Sequence, residues 1–488
     1  MRKRFKRAIT AILAAYLLAV LALPAAAVSQ STFVAGNFHA VALRPDNTVW
    51  TWGHNYAGQL GEGTTKDRGT PIIIPGLSGV ASLAAGYGHT VALKEDGTVW
   101  TWGDNRNGAL GLGDKRDRRV PTRVTAISGV TAIAAGDGFT VALKADGTVW
   151  RWGMAIEGSS FGNNMPVDAT TPERVDISGV TAIAARNSQT FALKADGTVW
   201  AWGYNAGGAL GNGSTAWYQH SPAQVVGLTD VTAIATGGYH TFAWKSDGTI
   251  WAWGDNTGGQ FGNGVYGNTQ HSLLPAEIPE LTDIAAIAAH NGYTILLKTD
   301  GTVWTCGLSD FRWWYDGGVV EPHYVPTQVP GLKDVAAVAA GLHFAAALQE
   351  DGTIWCWGDN EFGQLGDGTT FNSAYPVQIL GAVEVTLPED YDDTVTDPYA
   401  VIGSQSITGA SATPEITWDE SEMRLEIAKG LPVGTYRATL QASDNENHSA
   451  TKTVTIRVVK TIFGTKYEST VWNWIKFIFL FGWIWMWF

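Results

Sequence analysis

The chain has 488 residues, of which 58 are glycine and 23 tryptophan, while charged residues make up only 16%. That balance fits many short strands joined by tight turns and argues against a helical bundle. The net charge is −13, and −18 once residues 1–27 with their five basic side chains are removed, so nucleic acid and anionic lipid surfaces are disfavoured as partners.

Residues 1–27 have a basic start (Arg2, Lys3, Arg4, Lys6, Arg7), an apolar run from Ala8 to Leu23 and a small-residue site at Ala25-Ala26-Ala27. This is the pattern of a secretory signal peptide, and it predicts an extracellular or cell-surface protein. Only Cys306 and Cys356 are present, so no disulfide framework staples the fold.

From residue 31 to 381 one unit of about 50 residues is written seven times. Its turn dipeptide falls at Asp46-Asn47, Asp96-Gly97, Asp146-Gly147, Asp196-Gly197, Asp247-Gly248, Asp300-Gly301 and Asp351-Gly352. In the copy at 80–130, "VASLAAG" and "HTVALK" read as strands, Asp96-Gly97 as a hairpin corner, and "TVWTWG" as a third strand. The glycine-punctuated loop "DNRNGALGLGD" and a fourth strand, "VPTRVTAI", complete it. Trp100 and Trp102 are two apart and share a strand face. Thirteen of the fourteen such positions are Trp, from Trp50 to Trp357, the exception being Cys306. Four strands per unit with an aromatic face in every copy predict an all-β, seven-bladed propeller over residues 28–386. The first copy lacks an obvious strand, so the ring is expected to close by pairing the chain's start with its end. Residues 31–35 and 382–386 both compete for that edge.

The text "GYGHTVALKEDGTVWTWGDNRNGALGLGD", with "NEFGQLGDGTT" at 360–370, resembles the regulator of chromosome condensation repeat family. The resemblance spans about 350 residues and implies seven blades. Two copies depart from the pattern: the third reads "RWGMAIEGSSFGNN" and the sixth "TCGLSDFRWWYDGGVVEPHY". Irregular loops on a rigid scaffold are favoured places for recognition.

Past the repeats, "LPEDYDDTVTDPY" is an acidic linker opening a module at 387–460, which resembles putative immunoglobulin-like extracellular repeats through "GLPVGTY" and "ATKTVTIRV". The segment 461–488 ends in "VWNWIKFIFLFGWIWMWF". As a helix, residues 471–488 would reach about 27 Å, close to a bilayer core, which predicts a membrane tail; an aromatic tail packed on a partner is the other reading.

The chemistry expected of these residues is slight. The seven turn aspartates are spread around a ring and cannot pair on one bond, so no catalytic residues are assigned. His39, His89 and His240 occupy a position filled elsewhere by Phe139, Gln189, Tyr293 and Phe344, which suits packing and hydrogen bonding better than zinc. Cys306 and Cys356 are offset by one position on neighbouring strands and are expected as buried free thiols. The oxygen-rich stretches at 389–393 and 443–447 lack EF-hand spacing, and no metal or cofactor is assigned.

What remains is a binding surface. The segments after the glycine loops share one face by pseudo-symmetry and carry Trp217, Tyr218, Tyr266, Phe311, Trp313, Trp314, Tyr315, Tyr324, Phe371 and Tyr375. Aromatics in loops are frequent anchors of interfaces. The sequence thus predicts a secreted or surface-held module, not an enzyme, that binds a protein or a surface glycan. The resemblance implies two alternatives. One is inhibition of a secreted enzyme such as a β-lactamase, as in one secreted group of similar propellers. The other is guanine nucleotide exchange, the activity of the eukaryotic founders, against which the signal peptide and the acidic charge both weigh.

Overall fold

Each repeat is organised around its aspartate corner. Asp96 accepts from the backbone N–H and the hydroxyl of Thr98 at 3.0 and 2.6 Å, and Gly97 adopts a φ of 75°, a conformation that costs glycine little. The Thr98 hydroxyl in turn accepts from Trp100 Nε1 at 3.2 Å, and the Lys94 ammonium lies 4.4 Å above the indole ring. The turn carboxylates are therefore engaged in holding hairpins.

The computed structural model describes residues 33–155, 168–267, 270–308, 323–379 and 381, together with backbone strands at 383–384 and between 406 and 476. Blade two shows the pattern: Val80–Ala85, His89–Lys94, Val99–Gly103 and Arg118–Arg123 form one antiparallel meander from the axis outward. Blades three to seven begin with the inner strands Val130–Gly136, Val180–Arg186, Val231–Thr236, Ile284–His290 and Val335–Ala340. Successive inner strands neighbour one another around the ring, and Phe33–Ala35 meets both Val80–Ala85 and Val335–Ala340. The ring has seven blades.

Closure differs from the sequence expectation, because the two candidate segments do not compete. Phe33–Ala35 supplies the inner strand of blade one, pairing Phe33 with Ala42, so the first copy lacks nothing. Val383–Glu384 adds a fifth strand at the opposite edge, parallel to Arg68–Ile73. Each segment satisfies its own sheet edge.

The core lies between the blades. The second tryptophan of a pair is buried, as in Trp52, Trp102, Trp152, Trp202 and Trp253, while the first is half-buried. The ring seam is packed the same way, with Phe33 and Trp52 of blade one against Phe344, Ile354 and Leu365 of blade seven. At the turn side the Arg44 guanidinium donates to the Gly352 carbonyl across this seam.

The loop after the third strand is built on its asparagine. Asn105 Oδ1 accepts from Leu110 N at 2.9 Å while its amide donates to the Asp114 carbonyl at 3.0 Å; Asn55, Asn205, Asn256 and Asn360 repeat the arrangement. A buried amide with all its bonds made fixes the loop's shape. Gly61 in such a loop has a φ of 73°, and a Cβ there would sit 2.8 Å from Trp102 Nε1, so only glycine fits.

Residues 406–476 contribute two three-stranded antiparallel sheets. One is Ser406–Ser411, Gly434–Ser443 and Ser449–Val458, and the other Ile416–Asp419, Arg424–Ile427 and Trp474–Lys476. The expected signal peptide at 1–27, the acidic stretch at 389–393 and most of the tail lie outside the described residues. Among the described residues no helix is long and apolar enough to cross a membrane.

Candidate interaction face

An antiparallel meander places the connections between strands one and two, and between strands three and four, at the same end of every blade. That end is the loop face; the aspartate corners form the turn face. The loop face is braced by bonds between blades. His39 of blade one meets Thr90 Oγ1 of blade two at 3.0 Å, and the Thr90 hydroxyl donates to Gln59 O of blade one at 2.8 Å, so the imidazole Nε2–H is the donor. His89 with Thr140, and His240 with Thr294, do the same at 3.1 and 2.9 Å. Trp102 Nε1 donates to the same Gln59 carbonyl at 2.9 Å, and Trp52 Nε1 closes the ring onto Gln364 O at 2.9 Å. Burial lowers the imidazole pKa values to about 3 for His39 and about 4 for His89 and His240, so these histidines are neutral pins between blades.

The equivalent positions use other means to the same end. Tyr293 Oη lies 2.7 Å from both Gly341 O and Phe344 O, which share its single proton as acceptors, and Phe139 and Phe344 fill the space with rings. Cys306, standing where the other copies have tryptophan, directs its thiol at Gln260 O at 3.5 Å. Both cysteines are free and buried, as their spacing predicted, and burial pushes the Cys306 thiol up to about 12. Among the described residues no three His, Cys, Asp or Glu side chains gather as a metal site.

Six of the ten aromatics singled out from sequence are described. Trp217, Tyr266, Phe371 and Tyr375 are 66, 52, 70 and 62% exposed, which is high for such large apolar groups. Tyr218 and Tyr324 are half-buried beside them. Tyr266 stacks on Tyr324 with centroids 3.4 Å apart, joining blades five and six, and Tyr204 packs against Trp217, Tyr218 and Tyr239, joining blades four and five. Phe311, Trp313, Trp314 and Tyr315, like the irregular loop at 156–167, lie outside the described residues.

The sequence pointed mainly to blades four to seven; the structure adds a second aromatic cluster at the ring seam. His54 stacks on Phe362 at 4.0 Å, Phe38 meets Phe362 at 5.4 Å and Tyr87 at 6.0 Å, and Tyr56 lies 5.0 Å from His54. The Tyr56 hydroxyl donates to Asp104 at 2.6 Å, and the Arg106 guanidinium binds the same carboxylate at 2.5 Å. Burial alone would raise the Asp104 pKa, yet the bonds from Arg106 and Tyr56 hold it below the usual carboxylate range. These residues come from blades one, two and seven, and their only sequence signal is an aromatic or histidine near the ordinary loop motif.

The axis holds another feature missed from sequence. Five blades end the inner strand or begin its loop with Gly36, Gly86, Gly136, Gly237 and Gly341, where a Cβ would clash with the ring of the residue three positions on. Blades four and six have Arg186 and His290 instead. Arg186 reaches across the channel and donates to Ala35 O of blade one and Ala340 O of blade seven at 3.0 and 2.8 Å. His290 Nε2 lies 3.2 Å from Asn37 Oδ1, and Asn187 donates to Asn291 Oδ1 at 3.1 Å. Polar side chains thus bridge the axis at the loop face.

The RCC1-like domain model matches residues 17–312, and regulator of chromosome condensation (RCC1) repeats match 335–364 and 351–387. The chain belongs to the RCC1-like family. Among curated relatives, human E3 ubiquitin-protein ligase HERC2 is 33% identical over 157 residues, covering 31% of this chain and 3% of that protein. The ultraviolet-B receptor UVR8 of Arabidopsis thaliana is 30% identical over 153 residues, covering 30% of this chain and 34% of its own. Of solved structures, Prp20p from Saccharomyces cerevisiae superposes with a TM-score of 0.61 at 25% identity, covering 70% of this chain and 92% of Prp20p. Human WBSCR16 has the same fold, with a TM-score of 0.59 at 22% identity over 69% of this chain and 96% of that one. RCC1-like propellers are protein-binding modules, and in this one the loop face is where exposed aromatics gather.

Proposed function

We propose that this RCC1-like propeller is an exported binding module that captures a protein through its loop face. The observation that carries the reading is the exposure of Trp217, Tyr266, Phe371 and Tyr375 on one face of a ring whose loops are fixed by buried asparagines. Large aromatics left in water on a rigid frame lose little conformational freedom on binding and bury much apolar area. Export is supported by the basic and apolar pattern of residues 1–27. Nucleotide exchange fits poorly with that leader, and the Prp20p likeness, a structure described together with binding to Gsp1p and histones, concerns that protein.

The test is affinity capture from the secreted and surface fractions of the producing cell, with the full chain and with a Trp217→Ala, Phe371→Ala, Tyr375→Ala variant. The reading expects an identified partner that the variant loses at unchanged melting temperature. Equal capture by both proteins refutes it. Edman sequencing of the exported protein should begin at residue 28, and a product still starting at Met1 contradicts export by cleavage.

A further inference from the structure

Charge is divided unevenly over the loop face. Blades one and two place Lys66, Arg68, Arg106, Lys115, Arg116, Arg118 and Arg119 there, several of them paired: Arg68 with Glu62, Arg118 with Asp114, and Lys115 with Asp168 of blade three. Between residues 187 and 379 the described cations are Lys194, Lys245, Lys298 and Lys333. The first three lie over Trp200, Trp251 and Trp304 beside the aspartate corners, and Lys333 adjoins Asp334 on the same turn side. Among the described residues, the loop face of blades four to seven therefore has no lysine or arginine beyond the axial Arg186. It does have Asp255 at the start of the blade-five loop that carries Tyr266, and Asp359, Glu361 and Asp367 in the blade-seven loop that carries Phe371.

Two terms then act in one direction. The carboxylates make this arc negative, and four large π faces stand open to solvent, each with a quadrupole that attracts a cation. Asp255 has a histidine partner, His271, at 3.2 Å, while Asp359 and Glu361 have no salt bridge among the described residues. The chain satisfies the same chemistry internally on the turn face, where lysine ammonium groups cover the outer tryptophans. Among the described residues no lysine or arginine lies over Trp217, Tyr266, Phe371 or Tyr375, whereas on the opposite arc the Arg106 guanidinium lies 5.6 Å from the Tyr56 ring centre.

We propose that the blade four to seven arc binds an arginine- or lysine-bearing segment of the partner, its cations seated between aromatic faces and carboxylates. This rests on the loop-face reading of function and adds the partner's chemistry to it. A neutral partner would leave the carboxylates desolvated without compensation, and an acidic one would be repelled.

The experiment uses the full chain and fluorescent peptides of about a dozen residues in which glycine alternates with arginine, lysine, glutamine or glutamate. Fluorescence anisotropy at low and high salt should show the arginine peptide binding at least about tenfold more tightly than the glutamine peptide, with the advantage shrinking as salt rises. Glu361→Gln and Trp217→Ala should each weaken the arginine peptide several-fold. Arg116→Ala on the opposite arc should not. Equal binding of the arginine and glutamine peptides, or binding of neutral oligosaccharide in their place, overturns the proposal. If the aromatic triple variant still loses the captured partner in that case, the loop-face reading survives and only the cationic preference falls.

Discussion

Acidification should loosen the ring well above the range where carboxylates titrate, because three of its pins are neutral histidines. The imidazoles of His39, His89 and His240 have folded pKa values of about 3, 4 and 4, against about 6.5 when unfolded. A depressed folded value means that the unfolded chain binds protons the folded chain refuses. Their contribution is complete above the unfolded pKa and is lost as pH falls from about 6.5 towards 4. At pH 5 the folded rings are still largely neutral, so the loss per histidine depends on the unfolded pKa and comes to about 2 kcal/mol, or about 6 kcal/mol for three. The aspartate corners, whose carboxyls are held low by Thr hydrogen bonds, add their loss only at lower pH. Asp67, Asp117 and Asp137, raised by burial, act in the opposite sense. A comparison with His89→Phe therefore isolates one pin, since Phe139 fills the same position in blade three. Urea unfolding followed by tryptophan fluorescence at pH 7.5, 6 and 5 is the assay. Wild type should lose stability steeply, and the variant should lose about 2 kcal/mol less between pH 7.5 and 5. Parallel slopes for the two proteins refute the neutral-pin account.

Further expectations follow from burial and bonding. Trp102→Ala empties a fully buried site between blades and should cost about 3–5 kcal/mol, whereas Trp217→Ala, on the exposed rim, should stay within about 0.5 kcal/mol; paired melting curves check this. Asn205→Ala removes the acceptor for Leu210 N and two amide donations, and should lower stability by about 2–3 kcal/mol in the same assay. Arg186→Gly, restoring the residue of five other blades, should cost about 2 kcal/mol and speed amide exchange at residues 33–35, read by mass spectrometry. Cys306 and Cys356 should resist a thiol reagent in the folded protein and react together on unfolding.

Blade number was legible because an Asp-Gly corner and a tryptophan pair recur with nearly constant spacing, and local hydrogen bonds such as Asp96 to Thr98 enforce the same geometry each time. Closure was not, since strands of three and two residues at Phe33–Ala35 and Val383–Glu384 are too short to show a period. The aromatic rim at Trp217 and Phe371 stood out as residues that vary within a fixed frame. The seam cluster did not, because Phe38 and Phe362 lie more than 300 positions apart and meet only through ring closure. Arg186 and His290 break the glycine pattern at the inner strand ends, a signal present in the sequence at a position where a small residue looks unremarkable until the axis is seen.

Hydroxyl-radical footprinting of the full chain with its captured partner tests the central claim most directly. The account predicts protection at Trp217, Tyr266, Phe371 and Tyr375, with Trp100, Trp200 and Trp251 beside the aspartate corners unchanged. Protection at the turn-face tryptophans, with the loop-face aromatics oxidised as in the free protein, would contradict it.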